Sequence, residues 1–173
     1  MHSPALYGKP VRIEFQPGLS VHQGKLLSEK AKGTEVHAGS FVPARRIVLD
    51  TALLTNWDEL NRILVHELFH FAWVRLGNPK RRAFEAILHL ELQAKARGEL
   101  GWSAEWRKKE LSKDDIAQRT RLFRHYVVES FCDTAACLYS GCRTHAEFTL
   151  AARWKNRREI WFQGIFQASG VLI

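Results

Sequence analysis

Residues 63–74 read Ile63-Leu64-Val65-His66-Glu67-Leu68-Phe69-His70-Phe71-Ala72-Trp73-Val74. The run is apolar except for two histidines and a glutamate, arranged as HExxH. At 3.6 residues per turn, positions four apart share one helix face about 6 Å apart along the axis. Two imidazoles so placed can bind one metal ion, and Glu67 beside them can hold the water that the metal polarises. A helix that is apolar nearly all round belongs in a core. Two histidines and a carboxylate are costly there unless something binds them. With eight histidines in the chain, the pattern arises by chance only about 0.03 times per sequence of this composition. Zinc held by His66 and His70 is therefore the expected cofactor, with Glu67 as general base.

The flanks delimit this helix. Asn56 can cap its start, with Glu59 three residues later, and Gly77-Asn78-Pro79 should end it. Upstream, Val11-Arg12-Ile13-Glu14-Phe15 alternates like a half-buried strand that Pro17-Gly18 terminates. Residues 34–37 form a weaker strand candidate, and Arg46-Ile47-Val48-Leu49-Asp50 a better one. Residues 19–33 suit a short helix or a loop. Downstream, a second helix should run from Pro79 to about Arg97, closed by Gly98. Ser103 can cap a short helix through Leu111. One long helix is expected from about Lys113 to Tyr139, and Thr144 with Glu147 can cap a last helix to about Phe166. Strands first and helices after predict one small α+β domain over residues 1–173.

A catalytic zinc usually has three protein ligands and one open position. A Gly and a His further along the same helix are excluded, because Trp73 and Leu76 stand there. Glu85, His89 and Glu91 lie on the next helix among basic and polar residues, and Glu85 with His89 reads as a helical i, i+4 pair. The third candidate is Glu129, in Val127-Val128-Glu129-Ser130-Phe131-Cys132-Asp133-Thr134-Ala135-Ala136. Two acids one turn apart in an apolar and small-residue stretch need a cation or donors. Glu129 can ligate zinc while Asp133 accepts the free ring N–H of a zinc-bound histidine. A buried salt bridge, for example with Arg45 or Arg124, is the competing explanation. Glu110 and Asp114 share the spacing but are surrounded by charge. Cys132 reads as a small buried side chain rather than a ligand.

Together the HELFH helix and the later ESFCD-TAA helix resemble the gluzincin metallopeptidases. The small residues after Asp133 are also similar to the membrane-bound heat-shock and CaaX-processing gluzincins, whose transmembrane helices this chain lacks. The resemblance covers two short segments. It implies a zincin-like fold, a small N-terminal sheet ahead of the helices carrying HExxH and ExxxD. It also implies hydrolysis of a peptide or protein substrate, with His66, His70 and Glu129 on zinc, Glu67 as base and Asp133 behind a histidine. In such enzymes the strand before the active-site helix rims the cleft and pairs with extended substrate, which would be residues 45–50 here. An oxyanion stabiliser is also expected, and Tyr126, Tyr139, Arg143 and His145 are candidates.

Composition limits the alternatives. In 173 residues, 46% are hydrophobic and 25% charged, which is ordinary for a globular chain and excludes intrinsic disorder. No apolar run reaches the roughly 18 residues needed to span a bilayer. The opening residues lack a basic stretch followed by an apolar one, so no secretory leader is expected. Cys132, Cys137 and Cys142 are five apart and never CxxC, so a reduced cytoplasm is the expected compartment. The net charge of +8 would suit nucleic acid, and a basic DNA-associated module on the same scaffold is the runner-up. The basic residues are scattered, however, and solvated helix faces explain clusters such as Arg107-Lys108-Lys109 or those from Arg153 to Arg158. A third reading is a zinc-bound but inactive interaction domain. Oligomeric state is not legible.

Overall fold

A computed structural model describes residues 4–23, 25–29 and 33–173. Parts of the opening segment and of the stretch 19–33 lie outside the described residues. The chain is mixed α+β, with small sheets first and helices after.

β1 (Leu6–Tyr7) pairs in parallel with the C-terminal β8 (Val171–Leu172), which ties the two ends of the chain together. β2 (Arg12–Gln16), β6 (Ala38–Phe41) and β7 (Arg46–Asp50) form a three-stranded sheet in the order β2-β7-β6. β7 is parallel to β2, with Ile13 opposite Ile47, and antiparallel to β6, with Ser40 opposite Ile47. It is thus the central strand, and Ile47, Val48 and Leu49 are all buried. A strand covered on both faces and both edges reads as a continuous apolar run, which is why residues 46–50 stood out. β3 (Ser20–His22), β4 (Lys25–Leu27) and β5 (Thr34–Glu35) make a second three-stranded sheet, so the described part of 19–33 is extended and not helical.

Asp50 closes β7 by accepting hydrogen bonds from the Leu19 and Ala52 backbone N–H groups, 2.8 Å each, and a 3₁₀ turn over Thr51–Thr55 follows. The Asn56 side chain then accepts from the Glu59 N–H and starts α1 (Trp57–Arg75). α1 serves two cores. Leu60 and Phe71 pack on Ile47, Leu49 and Leu53 of the sheet side. Phe69 and Ala72 face a helical core with Phe84, Phe131, Phe162 and Phe166. The helix is therefore central, as its all-round apolarity requires.

α2 (Asn78–Gln93) begins with Pro79 in its first turn, as expected, and α3 (Trp102–Glu110) follows after a loop. Three helix boundaries differ from the sequence reading, the first being the end of α2 at Gln93, short of the expected Arg97. The expected helix over 113–139 is two helices, α4 (Lys113–Gln118) and α5 (Arg121–Tyr139). Arg119 between them is left-handed, at φ 52° and ψ 49°. No Gly or Pro marks that break. The left-handed backbone costs Arg119 about 1–2 kcal/mol, and a two-pronged ion pair between its guanidinium and Glu85 offsets the cost. The last helix, α6 (Ala152–Phe166), starts eight residues after Thr144. Glu147 does not fold back onto Thr144. Its carboxylate is taken by Arg62, at 3.0 Å, and by the Trp102 N–H, at 2.9 Å.

Candidate metal centre

α1 and α5 lie side by side, and the site is where their polar residues meet. On α5, positions 129, 132 and 133 share one face at i, i+3 and i+4. That face meets His66 and His70, whose rings stand edge to face with centroids 5.1 Å apart. His66 lies between two carboxylates. Its Nδ1 is 2.8 Å from Asp133 Oδ1 and its Nε2 is 3.3 Å from Glu129 Oε2. The residues expected from HExxH and ExxxD are thus brought together by the fold. Glu85, His89 and Glu91 are not. Glu85 pairs with Arg119, the His89 ring lies against Phe123, and Glu91 pairs with Arg158.

The chemistry of the donor set suits a borderline cation. Two donors held at about 2.1 Å in a tetrahedron stand about 3.4 Å apart. The 3.3 Å between His66 Nε2 and Glu129 Oε2 is that spacing. His66, His70 and Cys132 also converge, each offering one donor atom within 4.8 Å of the other two. That cluster could hold a metal ion, which makes Cys132, fully buried in the helical core, an alternative third donor to Glu129. Its signal was its place, three residues after Glu129 and therefore on the same face.

Electrostatics accord with a cation site that a proton fills in the metal-free chain. Burial disfavours the charged His66 ring, but the Asp133 and Glu129 carboxylates outweigh it and hold its pKa well above the ordinary 6.5. Burial likewise opposes ionised Glu129, yet its hydrogen bond with His66 and the nearby positive charges bring it down to about 2. His70 goes the other way: burial holds it below 6.5, so it is neutral and has a lone pair to give. Burial and the Glu129 and Asp133 charges keep the Cys132 thiol protonated.

Supporting contacts fix the groups. Asp133 uses its second oxygen to accept from the Ala104 N–H at 2.9 Å, in the first turn of α3. Gly101 caps α3 so closely that a Cβ there would fall 2.2 Å from Asp133 Cγ. A side chain is excluded at this position by contact. Glu67 accepts a short hydrogen bond from the Ser40 hydroxyl on β6. Ser40 and Gly101 were missed because their roles depend on elements that only the fold brings near.

Ser40, His66, Glu67, His70, Glu129 and Asp133 line a cleft of about 630 Å³. Its rim is the stretch 35–40 ending in β6, the outer strand of its sheet. This corrects the expectation that residues 45–50 would rim the cleft: β7 is flanked by strands on both edges and has none to offer. The oxyanion candidates are also displaced. The Tyr126 hydroxyl donates to buried Glu99, Tyr139 stacks on Phe69, and His145 pairs with Glu59. Arg143 does not line the cleft; Arg62 and Arg107 do, Arg107 with its Nη2 3.4 Å from Glu129 Oε1. Neither Arg45 nor Arg124 pairs with Glu129. Arg45 donates to backbone carbonyls, including Pro10 at 3.0 Å. Among the described residues, no helix is long and apolar enough to cross a membrane.

No protein-family model, no curated protein and no solved structure matches the chain.

Proposed function

We propose that the protein is a zinc-dependent peptidase of zincin-like fold, acting as an endopeptidase on an extended stretch of peptide or protein. The observation that carries this reading is the placement of His66 between Asp133 and Glu129, on the wall of a cleft rimmed by an outer strand. His66, His70 and Glu129 would hold the metal. When bound, zinc supplies a Lewis acid and brings the pKa of water to about 7.

The chain's own residues account for the rest. Glu67, oriented by Ser40, accepts the proton of the attacking water and returns it to the leaving amide nitrogen. Asp133 holds the His66 Nδ1–H, which leaves Nε2 as the ring's lone-pair nitrogen. Arg107 offers a cation beside Glu129 where charge develops on the attacked carbonyl. An outer strand such as β6 offers backbone groups to extended substrate, with little dependence on its side chains.

Glu67→Gln tests the enzyme claim. The variant is expected to keep its zinc and to lose at least about a hundredfold in peptide hydrolysis. If it loses the metal as well, Glu67 is a ligand and the assigned roles are wrong. Convergence of Cys132 with the two histidines favours a second reading, in which the thiolate is the third donor. Zinc content separates the two: Glu129→Ala should abolish tight binding and Cys132→Ser should preserve it. The opposite pattern would assign the site to His66, His70 and Cys132.

A further inference from the structure

On the far side of α5 from the metal centre, a pocket of about 240 Å³ is lined by four arginines, Arg81, Arg82, Arg119 and Arg124. One carboxylate, Glu85, faces them. Guanidinium groups stay protonated at any physiological pH. Four cations against one anion leave a surplus of three positive charges around a small concavity. Its floor is apolar, made by Trp73, Val127 and Val128. Such a floor lowers the local dielectric and strengthens any charge interaction above it.

The four arginines are not equivalent. Arg119 is clamped to Glu85 by two hydrogen bonds. Arg81 lies over the Trp73 ring at 5.5 Å and donates to the Trp73 and Val74 carbonyls, at 2.9 and 2.6 Å, so that it closes the C-terminus of α1. These two are fixed before any ligand arrives, so little conformational entropy remains to be lost on binding. The other two make no side-chain hydrogen bond, and Arg82 has only a long ion pair with Glu85. Arg82 is 60% exposed and stands 3.8 Å from Glu85, beyond hydrogen-bond reach. The Arg124 side chain has no ion pair or hydrogen bond among the described residues. Arg81 and Arg124 are each the fourth residue of their helix, and neither α2 nor α5 has a side-chain cap. The positive ends of both helices thus add to the same potential.

We infer that this pocket is a binding site for a phosphate dianion, either free phosphate or the phosphate of a small monoester. Two fixed and two exposed guanidiniums around a concavity suit one compact anion that accepts several charge-assisted hydrogen bonds. A polynucleotide backbone would instead be met by a line of cations along an open surface. The site is separate from the cleft and does not rest on the peptidase reading.

Inorganic phosphate is the first probe, titrated into the full chain against sodium chloride at equal ionic strength. Phosphate, and not chloride, is expected to raise the melting temperature, by about 5 °C or more at a hundredfold excess over Kd. Arg82→Ser with Arg124→Ser should weaken phosphate binding by about tenfold or more. Both side chains are exposed, so folding should survive, and circular dichroism checks that. Arg153→Ser, at an exposed arginine on α6, should change nothing. Phosphoserine in a parallel titration identifies the source: tighter binding than inorganic phosphate marks a monoester site, and equal or weaker binding marks a site for free phosphate. Unchanged phosphate affinity in the double variant would overturn the inference, because phosphate would then be binding elsewhere, the metal centre included. Duplex DNA bound in preference to phosphate, with steep salt dependence that the double variant flattens, would also overturn it in favour of a nucleic-acid surface.

Discussion

His66 is the residue on which the site turns, because its two ring nitrogens face two different carboxylates. Without metal, both nitrogens carry a proton and the ring is the cation of the site, since its pKa lies well above 6.5. With metal, Nε2 must give up that proton while Nδ1–H stays on Asp133. Zinc binding at pH 7 should therefore release about one proton, and zinc affinity should rise with pH. Calorimetric titration in buffers of different ionisation enthalpy measures the proton count, and a count near zero would mean that Nε2 is not a donor. Gly101 permits a second test at this scale. Gly101→Ala places a Cβ against Asp133 and changes no donor atom. It should weaken zinc by about ten- to a hundredfold, as Asp133→Ala should. The double variant should be no worse than either alone, and additive losses would show that the two act separately.

At the scale of elements, the helices are joined by buried charge as well as by aromatic packing. Arg158 on α6 is fully buried, pairs with Glu91 on α2, and reaches Glu99 at 2.8 Å. Glu99 also takes Lys108 of α3 at 2.9 Å and the Tyr126 hydroxyl of α5 at 2.7 Å. Four helices thus meet at one charge-balanced cluster. Its effect on the site is indirect: it seats α3, and the first turn of α3 holds Asp133. Arg158→Leu would leave Glu91 without its cation and should destabilise the fold by about 3–5 kcal/mol. Replacing Glu91 with Leu in the same chain should recover part of that loss. Denaturant unfolding of the three proteins measures both effects, and a loss under about 1 kcal/mol for Arg158→Leu would show that the cluster is not closed to water.

Over the whole molecule, ionisation should confine the stability of the metal-free protein to a window of pH. Glu59, Glu85, Glu99 and Glu129 all have folded pKa values below the ordinary 4.5: the Arg62 hydrogen bond leads at Glu59, and at the others ion pairs overcome burial. A depressed carboxylate stabilises the fold above its unfolded pKa and loses that contribution as pH falls through its folded one. Stability should fall from about pH 4.5 toward about 2, the value for Glu129. His66 has the opposite sign. Its raised pKa contributes fully below about 6.5 and is lost as pH rises through the folded value. The optimum of the metal-free protein should lie between these limits, and zinc should extend it upward by taking the place of the His66 proton. Chemical denaturation from pH 2 to 9, with and without zinc, follows both limbs. A metal-free protein no less stable at pH 9 than at pH 6 would remove His66 as an ionised partner.

What the sequence determined by itself was local. HExxH on an apolar helix, two acids one turn apart on a later one, β7 as a continuous apolar run, and Asn56 and Pro79 at helix starts all follow from periodicity and capping, which act within a few residues. Tertiary structure decided everything that needs a distant partner. Arg107-Lys108-Lys109 reads as a solvated run; Lys109 is exposed as that reading has it, yet Arg107 reaches the cleft and Lys108 takes buried Glu99. Arg158 reads as surface and is buried because Glu91 and Glu99 wait for it. Thr144 and Glu147 have the spacing of a cap, but Arg62 and the Trp102 N–H take the carboxylate. Arg119 breaks a helix that no residue type interrupts, because Glu85 holds it there. Arg119 and Glu85 are 34 positions apart, Arg158 and Glu91 67, and Arg62 and Glu147 85, and a long-range ion pair in a partly dry interior outweighs the preference of about 1 kcal/mol that local sequence expresses.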